Sequence, residues 1–186
     1  MLNKIGEWML DSIQIIGISA IIIAILHIFI IQPNEVNGRS MTPYLGDKDR
    51  IITEKISYKF NEPKRSEIII FRYPLDPTEE FIKRIIALPG EKVQLSGNKV
   101  IIYNDKNPQG MILKEPYLKR GTITSGRAFM EEGKTITVPK NKYIVFGDNR
   151  EGSSDSRQWG FIDKSDIIGR AFVRIWPPQS IGIITH

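Results

Sequence analysis

Three short segments hold the residues able to do chemistry. Gly38 to Leu45 reads G-R-S-M-T-P-Y-L and offers Ser40 as a nucleophile. Phe81 to Ala87 reads F-I-K-R-I-I-A and sets Lys83 among apolar neighbours. Gly147 to Arg157 reads G-D-N-R-E-G-S-S-D-S-R, with both signs of charge in close alternation, and Gln158-Trp159-Gly160 follows. The chain has two histidines, His27 inside an apolar run and His186 at the last position. A serine enzyme built from this chain therefore has no usable histidine base. Another group must take the serine proton, which points to Ser/Lys chemistry.

If 81–87 is a strand, Phe81, Lys83, Ile85 and Ala87 share one face. Burial of that face disfavours the ammonium and lowers its pKa from about 10.4, by as much as roughly 3–5 in extreme cases. A neutral amine near pH 7 can act as a general base. An edge strand with Lys83 snorkelling into water fits the same pattern, and the pattern does not separate the two. The 147–157 segment likewise reads either as a solvated loop or as a loop folded on itself, pairing its own Asp and Arg residues into a rigid polar shelf. Ser40 alone carries little weight, since most loop serines are inert. The three segments in this order carry far more.

Composition removes several alternatives. Cysteine is absent, which excludes disulfides, thiolate metal sites and a Cys nucleophile. No H-E-x-x-H occurs, so no zinc-hydrolase motif is present and no metal or other cofactor is expected. The net charge is +5; residues 1–32 carry Lys4, Glu7 and Asp11, and residues 33–186 carry 25 basic and 19 acidic groups. An excess of this size suits a solvated surface and, beside a membrane, favours anionic head groups. No dense basic patch or aromatic ladder suggests nucleic acid.

The elements that must position these segments begin with an apolar run. Ile15 to Ile31 has no formal charge at neutral pH, and extension back to Ser12 gives 20 residues. At about 1.5 Å per residue this spans roughly 30 Å, the thickness of the hydrocarbon layer. Apolarity on all faces argues against a half-buried core helix. The exit Gln32-Pro33-Asn34-Glu35 and the acidic Glu7 and Asp11 argue against a cleaved signal peptide. A retained anchor is expected, with Ser40 only nine residues beyond Ile31, at most about 30 Å of extended chain.

After the anchor, short runs rich in Ile, Val, Phe and Tyr read as strands: 51–53, 67–72, 81–87, 99–103, 143–147 and 170–176. Turn signals such as Leu88-Pro89-Gly90 and Ser96-Gly97-Asn98 separate them. The expected fold class is mainly β: a partly closed antiparallel β-sheet catalytic core with a small inserted lobe, preceded by one N-terminal transmembrane helix. The expected organisation is a tip and anchor over 1–32, a first core part over 33–103, an inserted lobe over 104–136, and a second core part over 137–186.

Together the segments resemble the boxes of the type I signal peptidases of bacteria and organelles. S-M-T-P-Y-L resembles the nucleophile box, F-I-K-R-I-I-A-L-P-G-E the lysine box, and G-D-N-R-E-G-S-S-D-S-R-Q-W-G a third box. The resemblance implies Ser40 as nucleophile and Lys83 as general base. It implies Ser153 as a hydrogen-bonding partner of the lysine, Asp148 as the partner of Arg84, and Asp155 with Arg157 as a further ion pair. It implies an oxyanion hole formed by the nucleophile's own N–H; the hydroxyl some members place two residues upstream is replaced here by Gly38. Gly152 stands where many members have Asn, and Tyr44 where Thr is often seen. Val36, Leu45, Phe81 and Ile82 match the walls of a shallow pocket that admits small residues, with the peptide bound as an added strand. The implied partners are the signal peptides of preproteins and the bilayer surface. The implied topology is a single pass with a cytoplasmic N-terminus and the catalytic domain on the exported side of a plasma or thylakoid membrane. Two other readings compete. One is a self-cleaving Ser/Lys repressor-type protease, which is expected to carry a DNA-binding domain where this chain has an anchor. The other is a membrane-tethered β binding module without activity.

Overall fold

The computed structural model describes residues 2–25 and 30–185. A helix, α1 (Leu2–Ile25), comes first. Its described side chains, Trp8, Met9 and residues 11–24, are all exposed. The expected anchor over 12–31 is thus divided. Residues 26–29, with His27, lie outside the described residues, as does His186, and Ile31 already belongs to a strand. Among the described residues, no helix is long and apolar enough to cross a membrane.

The body is mainly β with few and short helices. Its strands, in order, are β1 (Ile31–Glu35), β2 (Arg50–Glu54), β3 (Ile68–Tyr73), β4 (Asp76–Ala87), β5 (Lys92–Ser96), β6 (Lys99–Asn104), β7 (Asn107–Ile112), β8 (Thr135–Thr137), β9 (Lys142–Phe146), β10 (Ile162–Asp163), β11 (Ile167–Trp176) and β12 (Gly182–Ile183). One-turn helices follow β2 (α2, Ser57–Phe60) and β9 (α3, Ser156–Trp159). Among the described residues, an eight-stranded antiparallel sheet runs β1-β2-β11-β3-β4-β9-β10, with β12 added to β11, and a four-stranded sheet runs β7-β6-β5-β8.

β3 explains how the larger sheet is held. Its apolar run is buried on both faces, so it lacks the alternation of a half-exposed strand. Ile68 and Ile70 enter one cluster with Val36, Met41, Leu45, Ile51 and Ala171. Ile69 and Phe71 enter another with Ile85, Tyr143, Val145 and Ile162. A third cluster joins the two sheets: Val93, Leu95, Val100 and Ile102 pack on Ile86, Ala87, Ile144 and Phe146. Ala87 reaches that cluster beside Ile86 because a register shift between Ile85 and Ala87 breaks the strict two-residue alternation expected for 81–87.

The four-stranded sheet takes in β5 and β6 as well as part of 104–136. Residues 113–134 run mostly as coil along it and send side chains into the third chemistry-bearing segment. β4 is the longest strand, and its two ends differ. Its pairing with β3 covers both halves, whereas its pairing with β9 begins only at Arg84. One edge of β4 before Arg84 is therefore open, and it faces a cleft.

Candidate active site

Ser40 lies in the turn that follows β1. Gly38 makes that turn possible: its φ of +87° is in the left-handed region that glycine enters without penalty. Its N–H bonds Asp47 Oδ1 at 2.7 Å. A position so constrained explains why Gly38 stands there and offers no side-chain donor. The Ser40 carbonyl accepts the Asn149 N–H at 3.0 Å, and Asn149 Nδ2 donates to the Arg39 carbonyl at 3.1 Å. The Ser40 N–H itself has no hydrogen-bond partner among the described residues.

Lys83 comes from β4, opposite Ile69 of β3. It is 4% exposed, which settles the choice left open by the sequence: the side chain does not snorkel. Its Nζ is 2.9 Å from Ser40 Oγ and donates to the Ile82 carbonyl at 2.9 Å. Burial lowers its pKa from 10.5 to about 8, against the pull of Asp155 and Asp148 in the other direction. When charged, the group donates to Ser40 Oγ. When neutral, its lone pair can accept the hydroxyl proton across the same separation.

The 147–157 segment is a shelf of buried ion pairs. Arg84 and Asp148 are both fully buried and joined twice, Nε to Oδ1 at 2.9 Å and Nη2 to Oδ2 at 2.7 Å. Burial pushes the Asp148 carboxyl above its ordinary pKa, while Arg84 pulls it down. The Tyr117 ring lies 3.8 Å from the Arg84 guanidinium carbon. Asp155 and Arg157 form a second fully buried pair, and Asp155 Oδ2 also accepts the Gly147 N–H at 3.1 Å. Gly147 has no room for a side chain. A Cβ there would lie 2.2 Å from Ser153 Oγ and 2.4 Å from the Ser40 carbonyl oxygen. Ser153 is buried, and its hydroxyl rests against Gly147 with no hydrogen-bond partner, so it makes no bond to Lys83 in this conformation.

The cleft beside Ser40 and Lys83 has a volume of about 730 Å³. Val36, Phe81 and Ile82 are among its walls. Leu45 is not: it is fully buried in the same core cluster as Val36. Asn34 Nδ2 reaches Glu80 Oε2 at 3.4 Å, joining β1 to β4. No group of His, Cys, Asp or Glu suited to a metal occurs among the described residues.

The family description "signal peptidase, peptidase S26" matches residues 8–176, a stretch that contains every residue of this site. The chain belongs to the S26 signal peptidase family. A signal peptidase I of Leptolyngbya laminosa is 36% identical over 187 residues, covering 96% of this chain and 85% of its own. A signal peptidase IB of Staphylococcus aureus strain COL is 31% identical, covering 95% of this chain and 92% of its own. A crystal structure of a signal peptidase I from Enterococcus faecalis V583 covers 59% of this chain and 97% of its own, at 27% identity and a TM-score of 0.45. The activity is that of a signal peptidase I, a serine peptidase that cleaves signal peptides from preproteins.

Several residues around this candidate site of the signal peptidase have no counterpart among the sequence expectations. Arg150, 1% exposed, pairs with Glu115, bonds Thr124 Oγ1 at 2.7 Å and donates to the Gly147 carbonyl at 3.1 Å. Arg127 donates to the carbonyls of Ser153 at 2.7 Å, Glu151 at 2.9 Å and Arg150 at 3.2 Å. Glu115, Tyr117, Thr124 and Arg127 all come from 104–136. The one signal for them in the sequence was Arg150, an arginine left over in a segment whose two aspartates were already assigned to Arg84 and Arg157.

Proposed function

We propose that Ser40 and Lys83 are the catalytic pair of this signal peptidase. The observation that carries the reading is the 2.9 Å approach of a buried lysine amine to the serine hydroxyl. Ser40 Oγ attacks the scissile carbonyl carbon as its proton passes to the neutral Lys83 amine. The carbonyl π bond opens to an oxyanion, which meets the unpartnered Ser40 N–H. Collapse of this intermediate breaks the C–N bond, and the Lys83 ammonium protonates the departing amine. A water then attacks the ester, gives its proton to Lys83, and leaves the acid and a restored Ser40 hydroxyl. Arg84–Asp148 and Asp155–Arg157 fix the shelf behind this pair, and Ser153 orients the lysine once its hydroxyl, unpartnered here, turns toward it.

The signal peptide lies extended along the open edge of β4, with small residues against Val36, Phe81 and Ile82, while Leu45 backs Val36 from the core. The apolar run 12–31 serves as a single-pass anchor. The exposed Ile13, Ile15, Ile16, Ile18, Ile21, Ile22 and Ile23 support this. The N-terminus then lies on the cytoplasmic side and the β body, a partly closed sheet, on the exported side, near the bilayer surface.

The test is cleavage of a preprotein by the protein in detergent. Ser40→Ala and Lys83→Ala should each abolish cutting, and Lys83→Arg should be equally inactive because a guanidinium stays charged. Full activity in any of the three removes the mechanism. A substrate with a bulky residue at the cleavage position should survive; efficient cutting of it removes the pocket assignment.

A further inference from the structure

A second cleft, of about 470 Å³, borders the turn that carries Ser40. Thr42 and Pro43, two and three residues past Ser40, form one wall, and Lys119 and Arg120 belong to another. Its remaining boundary includes Asn149 to Glu151, the same loop whose Gly152 and Ser154 line the main cleft. A chain crossing this loop passes from one cleft into the other. Resting on the Ser40–Lys83 reading, we infer that the second cleft receives the first residues of the mature protein, and that Lys119 and Arg120 favour acidic side chains there.

The charges support this. Asp148 is taken by Arg84, and Arg150 by Glu115. Lys119 and Arg120 are exposed and have no ion-pair partner among the described residues; Glu151 is the one carboxylate of the cleft in the same position. The wall is also held in place. Thr122 bonds the Lys119 carbonyl through its N–H at 3.1 Å and its hydroxyl at 2.7 Å, and Asn98 Nδ2 donates to the Thr122 carbonyl at 3.2 Å. The two cations therefore sit on a turn tied to the four-stranded sheet, so an arriving carboxylate meets charges whose backbone is already placed.

The experiment uses the full chain in detergent at low ionic strength. Three peptides spanning one cleavage site carry Asp, Ser or Lys at the second to fourth positions after the scissile bond. The parent protein should cut the Asp peptide with kcat/KM about tenfold above the Lys peptide, a ratio that high salt removes. Lys119→Glu with Arg120→Glu should bring the ratio to one or below, while the Ser peptide is cut within about twofold of the parent rate. Glu151→Gln should raise the Asp preference. An Asp-to-Lys ratio unchanged in both variants overturns the inference. Cleavage of the Ser peptide reports on Ser40 and Lys83 separately, so failure of the subsite and failure of the catalytic pair give different results. If the double reversal does not fold, Lys119→Gln with Arg120→Gln makes the same comparison.

Discussion

Replacement of Lys83 by Met should make the protein inactive and, at neutral pH, more stable. Lys83 is 4% exposed and its pKa falls from 10.5 to about 8 on burial. A depression of that size corresponds to about 3 kcal/mol. The unfolded chain binds the lysine proton up to about pH 10.4, the folded protein only up to about pH 8. Stability contributed by the neutral amine is thus fully present above pH 10.4, falls as pH drops through this window, and is lost below about pH 8. Met has no charge to desolvate, but it leaves Ser40 Oγ and the Ile82 carbonyl without their partner, at about 1 kcal/mol each. Lys83→Met should therefore stabilise by about 1 kcal/mol at pH 7 and destabilise by about 2 kcal/mol near pH 10.5. The assay is urea unfolding of both proteins across this range, read as the difference in free energy so that other titrating groups cancel. Parallel stability curves, with no change in the difference between pH 7 and pH 10.5, would refute the reasoning.

Three further outcomes follow from the shelf. Gly147→Ala places a methyl 2.2 Å from Ser153 Oγ and 2.4 Å from the Ser40 carbonyl oxygen, so kcat/KM should fall at least about a hundredfold with the circular dichroism spectrum retained. Asp148→Ala should destabilise by about 3–5 kcal/mol because it strands the fully buried Arg84, while Asp148→Leu with Arg84→Met should cost much less than the two single changes added, as read by denaturant unfolding. Arg127→Ala removes the donors that hold three carbonyls around Ser153; kcat should drop by about tenfold or more with KM nearly unchanged, and Arg127→Lys should recover only part of it.

The strands that carry the chemistry were legible because long apolar runs have few other uses. Ile68 to Phe71 and Tyr143 to Phe146 are buried strands of just that kind. β1, with Pro33, Asn34 and Glu35, and β7, with Pro108 and Gly110, are polar edge strands and carry no such signal. β5 alternates Val93 and Leu95 inward over only five residues, too short to stand out. The pairs Ser40–Lys83 and Arg84–Asp148, which meet in the fold, could be singled out because each residue lies inside a compact motif. Glu115, Tyr117, Thr124 and Arg127 were not, because each acts alone and meets its partner only through the tertiary fold. Leu45 was expected as a pocket wall from the family resemblance alone, yet the turn after Ser40 carries it into the core beside Val36. Residues 104–136 looked like an excursion for the same reason: low apolar content hides a segment whose polar side chains brace the site.

As general base, Lys83 must lose its proton near neutral pH while touching Ser40. The most direct measurement is an NMR titration of the Lys83 side chain in protein with isotope-labelled lysine, assigned by loss of its signal in Lys83→Arg. The midpoint should lie near pH 8, with about a tenth of the amine neutral at pH 7. A midpoint above pH 10, the value of an ordinary solvated lysine, would contradict it.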